Sequence, residues 1–157
     1  MELQDINKEY EKLKQTYKLP EFQQLAEDFD IEKVTEKESS FLLREIRRMV
    51  SEKLSAYMHL FETLLNPTTP PMFIFTIIKN SNEKEKETIK EVYKKLAKLQ
   101  LHAIKLDTIY NEKSEADFII KSNQEWKDAK QKAHDLFEQF ETKFEENNNS
   151  GRKGYFG

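Results

Sequence analysis

Cysteine is absent from the 157-residue chain, which rules out a disulfide framework, a thiolate zinc site, an iron–sulfur cluster and a cysteine nucleophile. Glycine is nearly absent: Gly151, Gly154 and Gly157 are the only three, all at the C-terminal end. Residues 1–150 therefore lack the residue that β-bulges and primed hairpin turns most need, so a β-rich fold is strongly disfavoured. Glycine-rich phosphate loops, which let backbone N–H groups approach a phosphate, are excluded for the same reason. Long hydrophobic runs are missing too. The longest, Met72 to Ile78, is interrupted by Thr76 and falls far short of the roughly 20 residues that span a bilayer. The opening stretch MELQDINKEYEKLK is charged from its second residue and has no apolar segment of the secretory kind. These absences together suit a reducing, cytoplasmic setting without membrane attachment.

Charge of one sign is also scarce. The 26 basic and 29 acidic residues leave a net charge of −3, which favours solubility and gives no global attraction to nucleic acid or acidic lipid. The distribution is mildly uneven. Residues 1–35 hold nine acidic against five basic groups, and residues 67–110 hold eight basic against five acidic.

What the chain has is helical periodicity. Leu3, Ile6, Tyr10, Leu13 and Tyr17 recur at steps of three and four, predicting a first helix over residues 2–17. Pro20 suits the first turn of a second helix carrying Phe22, Leu25, Ala26 and Phe29, with a break expected near Asp30 to Thr35. The strongest segment is expected to open on a capping box of Thr35 with Glu38 and to run to Asn66, where Pro67 stops it. Its seam is Leu43, Ile46, Val50, Leu54, Tyr57, Phe61 and Leu64, recurring at the interval that keeps a stripe facing a partner helix. The dense apolar stretch Met72 to Ile78 reads as a buried element, helix in preference to strand because a lone strand has no partner in the chain.

From Glu83 to Tyr110 a clean heptad follows: Ile89, Val92, Leu96, Leu99, Ala103, Leu106 and Tyr110, with Ser81 as candidate N-cap. Ser114 is the candidate cap for a last long helix with Ile119, Trp126, Ala129, Ala133, Leu136 and Phe140 inward. Trp126, Tyr110, Phe41 and Phe118 are read as core. From Glu145 the composition turns polar and glycine-containing. The expected fold is all-α: an elongated antiparallel helical bundle of three long, coiled-coil-like helices plus two or three short ones over residues 1–146, with a flexible tail over 147–157.

Catalytic and metal-binding patterns are thin. The Glu-x-x-His pair of di-iron bundles is missing, since Ala56, Leu99 and Gln131 stand three positions before His59, His102 and His134. His59 shares a helical phase with Glu45 and Glu52 and is followed by Glu62, which reads better as a solvated flank than as a ligand set. The pair Ser39 and Ser40 lacks a nearby base, and capping explains it better than nucleophilic chemistry. No catalytic residue, metal or cofactor is expected, and the chain is read as a non-enzyme.

Two basic features remain. Arg44, Arg47 and Arg48 are spaced so that one helix face could present three guanidinium groups to a phosphate-rich or acidic partner; the competing reading pairs Arg48 with Glu52 and leaves the others to solvent or to the acidic second helix. Lys90, Lys94, Lys98 and Lys105 form a stripe without interleaved aromatics, which suits a solvated face. The C-terminal Arg152, Lys153, Tyr155, Phe156 and Gly157 form a candidate docking tail, two aromatics beside a free carboxylate. Tyr155-Phe156-Gly157 resembles the C-terminal hydrophobic–tyrosine–any-residue motif of proteasome activators, with Phe156 at the tyrosine position. The stretch LLREIRRMVSEKL and the charged helix after it are similar in pattern to the helical domain of the GINS replication proteins, whose β domain has no counterpart here. Neither resemblance covers enough of the chain to assign a family. The expected function is a non-enzymatic helical protein–protein interaction or scaffold module, its partner another protein or a second copy. The alternative is a nucleic-acid-associated accessory factor using the arginine cluster.

Overall fold

Each apolar stripe needs another to bury it, and the three longest stripes meet. In the computed structural model, which describes residues 2–36 and 41–155, six α-helices and one 3-10 helix are present and strands are absent among the described residues. They are α1 (Leu3–Tyr17), α2 (Phe22–Phe29), the 3-10 helix (Ile31–Glu36), α3 (Leu42–Leu65), α4 (Met72–Asn80), α5 (Glu83–Thr108) and α6 (Glu112–Tyr155). The long helices α3, α5 and α6 each touch the other two. Cross-contacts set their directions. Arg47 near the start of α3 meets Asp107 at the end of α5 and Glu115 at the start of α6, whereas Lys143 late in α6 meets Glu85 in the first turn of α5. So α3 and α6 run parallel, with α5 antiparallel to both.

The predicted seams are the core. On α3, Leu43, Ile46, Val50, Leu54, Phe61 and Leu64 are buried, and on α5 all of Ile89, Val92, Leu96, Leu99, Ala103 and Leu106. On α6, Ile119, Trp126, Ala129, Ala133, Leu136 and Phe140 are buried, together with Phe118. The short helices cover the rest: α1 packs on α6 and the 3-10 helix, α2 on α3, and α4 on α6. Tyr10 anchors this end by donating its hydroxyl to the carbonyl of Pro20 at 2.7 Å, and burial, followed by the charges of Glu11 and Glu21, pushes the phenol well above its ordinary pKa. With no glycine available, α1 and α2 stop on Lys18 and Asp30, both left-handed at φ 57° and 55°. Aspartate tolerates that region better than lysine does.

Several boundaries differ from the sequence expectation, each for a local reason. Pro20 precedes α2 rather than opening it, and Glu21 is the N-cap. Thr35 does not start α3. It lies in the 3-10 helix and donates its hydroxyl to the carbonyl of Glu32, while Phe41 occupies the N-cap of α3; Glu38, Ser39 and Ser40 lie outside the described residues. The cap of α5 is Asn82, one residue beyond Ser81. Its side chain accepts from the Glu85 N–H at 2.8 Å while Glu85 accepts from the Asn82 N–H at 2.9 Å, a complete capping box. At α6 the cap is Asn111, which accepts from both the backbone N–H and the hydroxyl of Ser114.

The segment 72–78 is a helix, as expected, but it is not buried. Only Ile74 is fully covered, with Ile77 and Ile78 half-buried against the core; Met72, Phe73 and Phe75 stand 79%, 55% and 52% exposed. Phe41, read as core, is 45% exposed and lies against the Tyr110 ring. The backbone of α6 continues as helix past Lys143 through residues 147–155, the stretch read from the sequence as a tail.

Candidate functional site

The arginine cluster does not form one outward face. Arg47 occupies an inward position of α3 and is 1% exposed. Its Nε donates to Glu115, itself fully buried, and its Nη2 donates to Asp107, both at 2.7 Å. Burial opposes the guanidinium's charge, yet the hydrogen bonds it donates to these two carboxylates outweigh that and hold the pKa above its ordinary value. Asp107 is held below the usual carboxylate range, chiefly by the Arg47 hydrogen bond and then by the charges of Arg47, Arg48 and Arg44. Arg48 pairs with Glu45 at 3.3 Å and lies 3.8 Å from Asp107, not with Glu52 as its i,i+4 spacing suggested. Arg44 spreads over the Tyr110 ring at 5.7 Å and reaches the Asp107 carbonyl. The three cations thus lock the turn end of α5 onto α3 and α6, a structural task that withdraws Arg47 from any external phosphate.

The lysine stripe is on the surface. Lys90, Lys94, Lys98 and Lys105 are exposed, and none of them has an ion-pair partner among the described residues. Lys94 and Lys98 line a groove between α5 and α6. His102, half-buried and edge-on to Phe118, is held below its ordinary pKa by burial and then by the charges of Lys121 and Lys105.

The histidines show no convergence. His59 is 67% exposed and 3.4 Å from Glu62, while Glu45 is turned to Arg48; His134 stands beside Glu138. Among the described residues no group of three or more potential ligands is placed to hold a metal. No helix among them is long and apolar enough to cross a membrane. The side chains of Arg152, Lys153 and Tyr155, and all of Phe156 and Gly157, lie outside the described residues.

Two surfaces were not anticipated. A groove of about 430 Å³ between α3 and α6 is walled by Tyr57, Trp126 and Phe137 and rimmed by Lys130, Gln131 and His134. The other is α4. Its nine residues hold six large apolar side chains but sink only Ile74 fully, so Met72, Phe73 and Phe75 face outward, with Leu65 at the end of α3 38% exposed and Phe144 on α6 39% exposed. Taken at the area a buried aromatic covers, the three α4 side chains alone expose on the order of 300 Å² of mostly apolar surface, comparable to the largest patch on an ordinary monomer. The density of the run was visible in the sequence; its orientation was not, because seven adjacent positions of a helix point all round the axis and one neighbouring helix covers only one side. Leu101 and Ile104 on α5 and Ile109 at its C-cap are exposed too, the first two beside Lys98 and Lys105. Comparison with protein-family models, curated proteins and solved structures finds no match.

Proposed function

We propose that the chain is a non-enzymatic helical module that docks another protein, or a second copy of itself, through the outer face of α4. The observation that carries this reading is the exposure of Met72, Phe73 and Phe75 on one short helix at the end of the bundle. A solitary exposed leucine needs no explanation, but adjacent large apolar side chains in water cost solubility and point to a covered state. Among the described residues α4 uses its inner side against α6, and Met72, Phe73 and Phe75 stay exposed. Hydrophobic docking also fits a surface whose remaining charge is nearly balanced. The arginine cluster supports the alternative, nucleic-acid reading less well, since its middle member is internal.

The test uses affinity capture from lysate with wild-type and F73S/F75S baits, both checked for helix content by circular dichroism. The reading expects proteins retained by the wild type and lost by the variant. An identical set of captured proteins, or none at all from a wild type whose solution mass is that of a monomer, overturns it.

A further inference from the structure

The groove between α5 and α6 carries lysines on both walls. Lys94, Lys95 and Lys98 of α5 face Lys121 of α6, with Glu91 and Glu125 the acids in the lining, around a volume of about 370 Å³. Both acids are already engaged. Glu125 pairs with Lys95 at 3.2 Å and Glu91 with Lys132 at 2.5 Å, while Asp128 a turn away is shared by Lys95 and Lys132. Lys94, Lys98 and Lys121 have no carboxylate partner among the described residues, unlike Lys95 between the first two. Lys94 and Lys98 are one turn apart, about 6 Å along the axis, and Lys121 approaches from the other helix, so the three ammonium groups bracket one concavity.

We propose that this groove binds a compact polyphosphate anion, held by Lys94 and Lys98 on one wall and Lys121 on the other. The volume lies in the range of small-molecule sites. The lining holds no aromatic side chain, only Leu99 as apolar floor, so a nucleobase would find no stacking surface and the recognised group is the phosphate cluster itself. A compact ligand also suits the charge map better than a long one. Asp117 is exposed on α6 one turn before Lys121, and it repels a chain that extends past the lysines on that side. The site lies on a different pair of helices from the α4 face and does not depend on the docking proposed there.

The experiment is calorimetric titration of the full chain with inorganic tripolyphosphate at about 50 mM salt. The wild type is compared with K94A/K98A/K121A and with K8A/K12A/K113A, which removes the same charge from exposed, unpaired lysines outside the groove. All six substitutions are on the surface, and circular dichroism checks that both variants fold. The groove variant is expected to bind at least about tenfold more weakly and the control within about twofold of wild type, with affinity falling steeply toward about 200 mM salt. No binding to the wild type, or equal losses in both variants, overturns the proposal. Tighter binding of a short DNA duplex than of tripolyphosphate through the same three lysines also overturns it, and assigns the groove to a nucleic-acid backbone.

Discussion

Arg47 shows how one side chain can change role between sequence and structure. Its spacing with Arg44 and Arg48 suggests an outward triad, but its spacing with Leu43, Val50 and Leu54 is the four–three–four of the seam, and burial follows the second pattern. Glu115 repeats the lesson on α6, where it stands four residues before Ile119; Ser122 falls at the next inward step, and both are fully buried. The polar members of the seams were thus legible from phase alone, and went unread because polar residues are ordinarily assigned outward. Which acid neutralises Arg47 was not legible, since Asp107 and Glu115 lie 60 and 68 residues away and meet it only after the helices pack. Because Glu115 has no exposure to water, R47M strands its charge and is expected to cost about 3–5 kcal/mol, while R47M/E115M recovers most of that loss. A urea-melt double-mutant cycle over wild type, R47M, E115M and R47M/E115M checks it; additive losses from the two single variants would show that the pair is not coupled.

Acid should act through single carboxylates as well. Asp30, Asp107 and Asp128 are each held below the ordinary aspartate value, first by a hydrogen bond from Lys53, Arg47 and Lys95 respectively. A carboxylate with a lower pKa folded than unfolded lends stability that is complete above the unfolded value of about 4 and is lost as pH falls through the folded one. Urea midpoints are therefore expected to hold between about pH 5 and 7 and to drop below about pH 4. D30N/D107N/D128N should flatten that acid limb, and an unchanged limb would place the proton uptake elsewhere.

At the scale of elements, helix existence was readable and helix ends were not. All three long helices and the two seams of α5 and α6 follow their periodicity, whereas Thr35, Ser81 and Ser114 each yielded the capping role to another residue. A cap is decided by which backbone N–H groups are left unpaired, and Asn82 gains over Ser81 because Glu85 closes the reciprocal bond. Glu85 is also bonded by Lys143, so the same box ties α6 to the start of α5. For α4 the two faces should separate in their energetics. I74A removes the one fully buried anchor and is expected to cost about 2 kcal/mol, the lower end for a peripheral site, whereas F75S should change stability by less than about 0.5 kcal/mol. Thermal or urea melts of the two variants decide this. A large loss for F75S would mean that α4 is part of the core rather than a face left for a partner.

On the scale of the whole molecule, the bundle assigns its surfaces unequal work. One end is closed by the arginine–carboxylate knot, the flank between α5 and α6 is basic, and the opposite end carries α4 with its apolar side turned out. Sequence reasoning reached the architecture because three seams of similar length have few ways to bury one another. It did not reach the exposed face of α4, because exposure is a property of what packs nearby and α4 packs chiefly on α6. The most direct test of the docking account is photo-cross-linking in cells from a photoreactive phenylalanine analogue at position 75, with the same residue at position 12 of α1 as reference. The account predicts a discrete protein adduct from position 75, at twice the chain's 18.8 kDa for a second copy or at another mass for a different protein, and no such adduct from position 12. Absence of an adduct from position 75, or the same products from both positions, would contradict it.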